Sequence, residues 1–468
     1  MEGAVKRDQW GYQVSTSSEA CISAINDYYH QVLTYGRERS VILKATVHDK
    51  DCVLANILVA HFLSSSDPSR APSHLHAAVS RLEQATSYEK AVFDAVKSLV
   101  CENRDDDVAL ESHFKLLKDF PKDLVSLKRA QVLCFYMGRP DLSLSLVQQV
   151  LPPNEQESYI YGMLAFPLLE LGRMADAEKA ARKALEINKQ DCWAQHNFCH
   201  VLQYECRFKD AVEFMEACSS SWGSLSSFMI THNWWHVAIC YLEGHSPIQR
   251  VLEVYDQRIW KELERADASV PEVYLNAVGL ILRMHVRGEL DVLKDRLKIL
   301  VSSLTDKGNW FMEWHFDVLI LWALANANEL SKAEDLLKGL RSRVFNMSDK
   351  KKQLMQRGLS LAEAMYEYGR GNGKQALEFL GPNFDAADYK IIGASDEQVD
   401  VFNEVWYSML LNTGQASKLI EVLGTKIKKR EGVPFLWRLL ERAYSIVGSK
   451  EAKIVGDRAK VLESAYFE

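Results

Sequence analysis

Two short stretches carry the residues most able to do chemistry. HNFCH holds His196 and His200, and HNWWH holds His232 and His236. On a helix, residues i and i+4 lie one above the other, so each stretch presents two imidazoles on one face. Three chemistries fit. Two such pairs supply the four nitrogen ligands of Zn²⁺ or another divalent metal. Uncomplexed histidines can instead donate to a peptide or a small anionic ligand. Alternatively, these histidines with Asn197 and Asn233 satisfy one another and the neighbouring helices as a buried polar network. A zincin-type hydrolase is excluded in its usual form, because Glu must follow the first His as general base and Asn197 and Asn233 fill that slot.

Aromatic residues surround the same motifs. Trp193, Trp222, Trp234 and Trp235 cluster near them, and Trp310, Trp314 and Trp322 mark a later helix carrying Glu313 and His315. Such a wall suits apolar or cationic ligand parts, although an aromatic stripe at helical spacing also serves a core. Elsewhere the motifs fail on chemistry. GRGNGK at 369–374 lacks the first Gly and the final Ser or Thr of a phosphate loop, since Tyr368 and Gln375 stand there, and it reads as a turn between helices. No GxSxG elbow and no Cys and His nucleophile arrangement is present.

The elements that must position these residues are helices. Nearly every segment has amphipathic helical periodicity, and no alternating strand pattern with hairpin turns stands out. Small residues recur at Ala109, Ser143, Ala177 and Ala211, where the second helix of a hairpin packs against the first. Gly138 and Gly172 stand five residues before two of them, where a helix turns left-handed to stop. The clearest copy is 158–191, with Tyr161, Leu164, Ala165 and Leu168 on one inner face and Ala177, Ala181 and Ala184 on the other. A further copy lies around Ala364, Gly371 and Ala376. These positions resemble the tetratricopeptide repeat. That resemblance implies an all-α superhelical array of antiparallel hairpins, a tetratricopeptide-like α-solenoid whose first helices line a concave groove. In this register His196, His200, His232 and His236 face the groove.

A narrower likeness rests on HNFCHVLQ, FKDAVEFM, Trp222, HNWWH and VLEVYD in that order, with SSEAC at 17–21 and GASDEQVDVF at 393–402. Together they resemble the tetratricopeptide-repeat protein 38 family. The resemblance implies polar groove residues that this chain replaces at Asn56, at Gln131 and Val132, and at Leu202 and Gln203, while Val399 stands for an arginine. His315, Ser395, Gln398 and Asp400 match the pattern. The missing carboxylates are the groups most needed to activate water or shuttle protons, which weighs against catalysis.

Totals bound the remaining choices. A chain of 468 residues with 47% apolar and 25% charged residues belongs to the globular class. Its net charge of −7 argues against nucleic acid as a partner. KIKKR at 426–430 reads as a solvated helix face. Nine cysteines without a CxxC pair, together with a start lacking a secretory signal, imply reduced thiols and a cytoplasmic location. The longest apolar run, Val318 to Ala325, is too short to span a membrane.

The expected organisation is a flexible terminus over 1–15, a helical capping region over 16–89, repeats with the His-rich groove over 90–260, and divergent helical repeats over 261–468. The polar stretches 64–73, 219–227 and 381–395 read as loops between helices. The expected function is binding of a protein segment or small ligand in the groove by His196, His200, His232, His236, Trp193, Trp235, Asn197, Asn233, His315 and Glu313. No resident cofactor is assigned, with Zn²⁺ or another divalent ion on the four motif histidines kept as the metal reading. The alternative class is a His-based or metal-dependent hydrolase, intact or degenerate; the sequence names no reaction.

Overall fold

A computed structural model describes residues 5–101 and 104–467. It is all-α apart from one small hairpin, as the repeat pattern implies. The chain divides into two compact units, residues 1–198 with 224–226, and residues 199–223 with 227–468.

The first unit begins with strands β1 (Lys6–Arg7) and β2 (Gln13–Val14), paired antiparallel. Sequence periodicity missed them because two-residue strands are too short to show alternation. They are held by side chains: Asp8 accepts from the backbone N–H of Trp10 and Tyr12, and Trp10 stacks on Tyr29 at 4.2 Å. The expected loose terminus is thus ordered from Val5 onward, and residues 1–4 lie outside the described residues. Helices follow as α1 (Glu19–Leu33), α2 (Ile42–His48), α3 (Val53–Ser66), α4 (Ala71–Arg81), α5 (Ser87–Val100) and α6 (Asp106–Asp119). Next come α7 (Leu124–Tyr136), α8 (Pro140–Val150), α9 (Ser158–Glu170) and α10 (Met174–Ile187). The pairs α3/α4, α5/α6, α7/α8 and α9/α10 pack as antiparallel hairpins. The expected loop at 64–73 shrinks to four residues, because α3 continues through its serines and Pro72 sits in the first turn of α4, where its missing N–H costs nothing.

The division between the units falls within α11 (Cys192–Tyr204). The second unit continues with α12 (Phe208–Cys218), α13 (Ser227–Glu243) and α14 (Ile248–Val254), then a π turn over Tyr255–Ile259. It goes on with α15 (Val270–Val286), α16 (Leu290–Leu304), α17 (Trp314–Asn326), α18 (Leu330–Phe345), α19 (Asp349–Gly369) and α20 (Gly373–Leu380). The last helices are α21 (Asp396–Asn412), α22 (Ala416–Lys429), α23 (Pro434–Ile446) and α24 (Glu451–Glu463). Short 3₁₀ turns at Ser219–Ser221 and Ala386–Ile392 occupy stretches the sequence suggested were loop.

One device ends the first helix of most hairpins. After α9, Gly172 has φ +75° and the next N–H, of Arg173, bonds back to Leu168 O at 2.8 Å. This is the six-to-one closure that satisfies orphan carbonyls, and a left-handed residue is its geometric requirement. The same bond recurs from Arg207 to Leu202, from Ser246 to Tyr241 and from Glu329 to Leu324. There the left-handed residue is Cys206, His245 or Asn328, so the turn signal is invisible to a search for glycine. Opposite the turns, Ala109, Ala177 and Ala211 are fully buried and Ser143 nearly so, which is why a small residue recurs at that position.

Candidate functional site

The second unit gathers three of the four motif histidines. His232 and His236 lie one turn apart on α13, and His200 comes from α11. Their ring nitrogens lie within 4.8 Å of one another. The His200 and His236 rings are 4.2 Å apart, and those of His232 and His236 4.8 Å. Each ring meets an oxygen at Nδ1, two of them through a hydrogen bond. His232 Nδ1 bonds Asn276 Oδ1 at 2.9 Å, His236 Nδ1 bonds Gln203 Oε1 at 3.0 Å, and His200 Nδ1 pairs with Glu397 Oε2 at 2.7 Å. The amide oxygens accept from His232 and His236, so in those two contacts Nδ1 carries the proton, whereas the His200 contact with Glu397 is an ion pair without hydrogen-bond geometry.

Burial changes what the site can bind. The sequence placed these rings on an open groove wall, but none of the three is more than 3% exposed. The physical reason is α21: it packs on α15 and brings Glu397 onto His200, so the C-terminal helices cover these rings. An extended protein segment therefore does not lie on these imidazoles. Burial also pushes His232 down to about 4, against the opposing hydrogen bond from Asn276, which keeps the ring neutral. Glu397 is the converse case. Burial raises its carboxyl, yet the His200 charge and contact pull it below the usual carboxylate range.

The remaining expected contacts divide. Trp235 stacks on His232 from one side at 5.4 Å and Phe228 stacks on it at 5.0 Å, forming an apolar sleeve around that ring. Asn233 is fully buried and neither atom of its amide meets a hydrogen-bond partner, so it is no groove contact. His315 on α17 is buried too, and burial, with His232 nearby, depresses it to about 3. It stays outside the imidazole group, and Glu313 stands at the N-cap position of α17 without a side-chain capping bond. The helix expected from Trp310 begins only at Trp314, because Phe311 takes φ +64° and Asp317 accepts its N–H at 2.8 Å.

His196, one turn before His200 on α11, falls in the first unit. There its ring lies on Trp193 at 4.6 Å and its Nδ1 faces Asn197 Oδ1 at 3.3 Å, while Asn197 donates to Gly162 O at 2.9 Å. Trp193 also contacts Phe166 and Tyr35 at 4.9 and 5.0 Å, and Phe166 contacts Phe135 at 6.0 Å. These half-buried aromatics come from successive repeats.

An ion-pair network braces the three imidazoles. Arg283 and Arg287 on α15 hold Glu404 on α21, with contacts from 2.6 to 3.0 Å, and Arg287 also reaches Glu243 at 3.1 Å. Arg283 donates to the backbone carbonyl of Glu397 at 2.6 Å, which fixes the turn that carries the carboxylate to His200. Arg430 pairs with Glu243 and is only 9% exposed. Lys426 pairs with Asp400 at 2.6 Å. Both ends of KIKKR therefore serve the interior, which corrects its reading as a wholly solvated face; only Lys428 and Lys429 stand exposed. Ser395 and Gln398 form a capping box that starts α21, and Asp400, held ionised by Lys426 against its burial, anchors the same helix. These three thus position α21 without themselves facing the rings.

Glu397, Gln203, Asn276 and Arg283 were not singled out as site residues. The signal that could have found Glu397 is the S-x-x-Q capping pattern at 395–398, which puts it in the first turn of a helix. That helix brings a carboxylate to His200. A recess of about 860 Å³ opens beside Arg370, Lys374 and Gln375, at the turn that resembled a phosphate loop, and none of the imidazoles lines it.

No family model matches the chain. Among solved structures, a monomeric mutant of IFIT1 with Gppp-AAAA is 12% identical with a TM-score of 0.43, over 95% of this chain and 96% of that one. A human IFIT1 dimer with m7Gppp-AAAA is 14% identical with a TM-score of 0.37, over 96% of this chain and 91% of that one. At those TM-scores the likeness carries nothing about ligand or site. Among the described residues no helix is long and apolar enough to cross a membrane.

Proposed function

We propose that this chain is a cytoplasmic helical-repeat binding protein, akin to the tetratricopeptide-repeat protein 38 family, whose second unit holds a small polar ligand on His200, His232 and His236. The observation that supports this reading is the shared arrangement of the three rings, each facing an oxygen through Nδ1 from a residue outside its own motif. Hydrogen bonding at the back of a ring fixes its tautomer and orientation, which is how a binding constellation is preorganised. Burial favours a small ligand over a peptide here. The net charge of −7 disfavours nucleic acid.

The test is a thermal-shift comparison of wild type with His232→Ala and His236→Ala, using inorganic phosphate, small mono- and dicarboxylates and divalent cations as probes. At least one probe is expected to raise the wild-type melting temperature and to fail on both variants. If none does, or if the variants respond equally, the reading is wrong.

A second reading concerns the first unit, where Phe135, Phe166 and Trp193 form a half-buried aromatic row and Val132, the position read as groove-facing, is 48% exposed. A protein segment fits that row better than it fits the imidazoles. Trp193→Ala is expected to weaken any such complex while leaving the small-ligand response intact.

A further inference from the structure

We propose that the small ligand is a divalent transition-metal ion of the zinc class, bound by ring nitrogens of His200, His232 and His236. The inference rests on the small-ligand reading above and names its chemistry. Three observations support it.

The first is donor placement. The three ring nitrogens lie within 4.8 Å of one another, whereas tetrahedral ligation at about 2.0–2.1 Å sets them roughly 3.3 Å apart. Closing the difference takes small ring tilts. His232 and His236 come as an i,i+4 pair, so one helix delivers two ligands in register, and α11 delivers the third.

The second is the shell behind the donors. A ligating imidazole characteristically gives its other N–H to a carboxylate, amide or carbonyl, which fixes the tautomer and strengthens the donor nitrogen. Here Asn276 and Gln203 accept from His232 and His236, and the Glu397 carboxylate lies 2.7 Å from His200 as an ion-pair partner. The Glu397 carboxylate adds a charge that partly offsets the cation, and Arg283 holds its backbone in place.

The third is donor type. Imidazole nitrogens suit zinc, cobalt, nickel or copper, while calcium and magnesium prefer oxygen ligands. Trp235 and Phe228 flank the His232 ring and limit water access.

The experiment uses full-length protein without a histidine tag, stripped with a chelator and titrated with Zn²⁺ and with Co²⁺. Elemental analysis is expected to find one zinc ion per chain after reloading, and Co²⁺ is expected to give ligand-field absorption in the visible. The His200→Ala, His236→Ala double variant should lose both. Asn276→Ala and Glu397→Gln keep all three ligands and should weaken Zn²⁺ affinity by about 10–100-fold. Because the double variant loses buried groups, its fold is checked by circular dichroism; if it is unfolded, the wild-type Co²⁺ spectrum and the two single variants decide. Wild type that binds neither ion, or a folded double variant that binds both as wild type does, overturns the inference. If phosphate or a carboxylate still binds in a His236-dependent way without metal, the metal inference falls and the small-ligand reading survives; if nothing binds, both fall.

Discussion

The two units bury charge in opposite ways. In the first, the buried cations sit singly: Lys128 donates to Val32 O at 2.7 Å and lies 3.1 Å over the Tyr35 ring, and Arg129 donates to Ser126 Oγ at 3.2 Å. Its interior holds a continuous apolar cluster from Val14 to Met163, with Glu89 and Asp123 buried and bonded to uncharged groups. In the second, Arg283, Arg287 and Arg430 interlock with Glu243 and Glu404 beneath three imidazoles and a carboxylate. Well-packed apolar residues of similar volume would often be as stable as such a network, so stability alone does not explain its presence. What it supplies is position, since Arg283, Glu243 and Glu404 lie on helices that carry a histidine or a histidine's partner.

That contrast is open to measurement, and the largest effect is expected where it is sharpest. Glu404→Ala leaves Arg283 and Arg287 short of a buried partner and should cost about 3–5 kcal/mol, read as a lower denaturant midpoint for the second unit. A loss below 1 kcal/mol would show that the network is more hydrated or more pliable than its burial implies.

The next effect is a pH dependence. His232 titrates near 6.5 when unfolded and near 4 when folded, so between those values the unfolded chain holds more protons. Its contribution is fully present above pH 6.5 and is lost as pH falls through 4, a change of about 3 kcal/mol. Asp317 acts oppositely, because burial raises its carboxyl to about 7 and its contribution is lost as pH rises from 3.8. The stability difference between wild type and His232→Gln isolates the histidine and should shrink on acidification from pH 7 to 4. A difference that stays flat would place His232 in a wetter setting.

The smallest effects belong to the regular repeats. Ala177→Leu should overpack the α9/α10 hairpin by about 1–3 kcal/mol, since Ala177 is fully buried. Gly172→Val should cost about 1–2 kcal/mol through φ +75° alone, because an added Cβ there meets nothing within 4 Å. Neither change should alter ligand response at the histidines. If either does, the repeat packing and the site are coupled.

How much was legible follows from the range of each interaction. Local spacing was sufficient for the helical hairpins, the recurring small residues and the pairing of His232 with His236, because a helix's own period decides which residues share a face. The turns at Cys206, His245 and Asn328 were hidden, since their left-handed backbone is imposed by the hairpin closure and not announced by residue type. Register also aimed His200 and His236 at one hollow. It did not reveal that α21 covers these rings, that Glu397 faces His200, or that Asn276 and Gln203 orient the other two rings. Those partners are distant or differently phased in the chain, and only the packing of helices brings them into contact. By itself the sequence determined a helical-repeat chain with imidazoles on shared faces; the tertiary structure decided that they are buried, anchored and clustered, because burial and long-range hydrogen bonding depend on which helices meet.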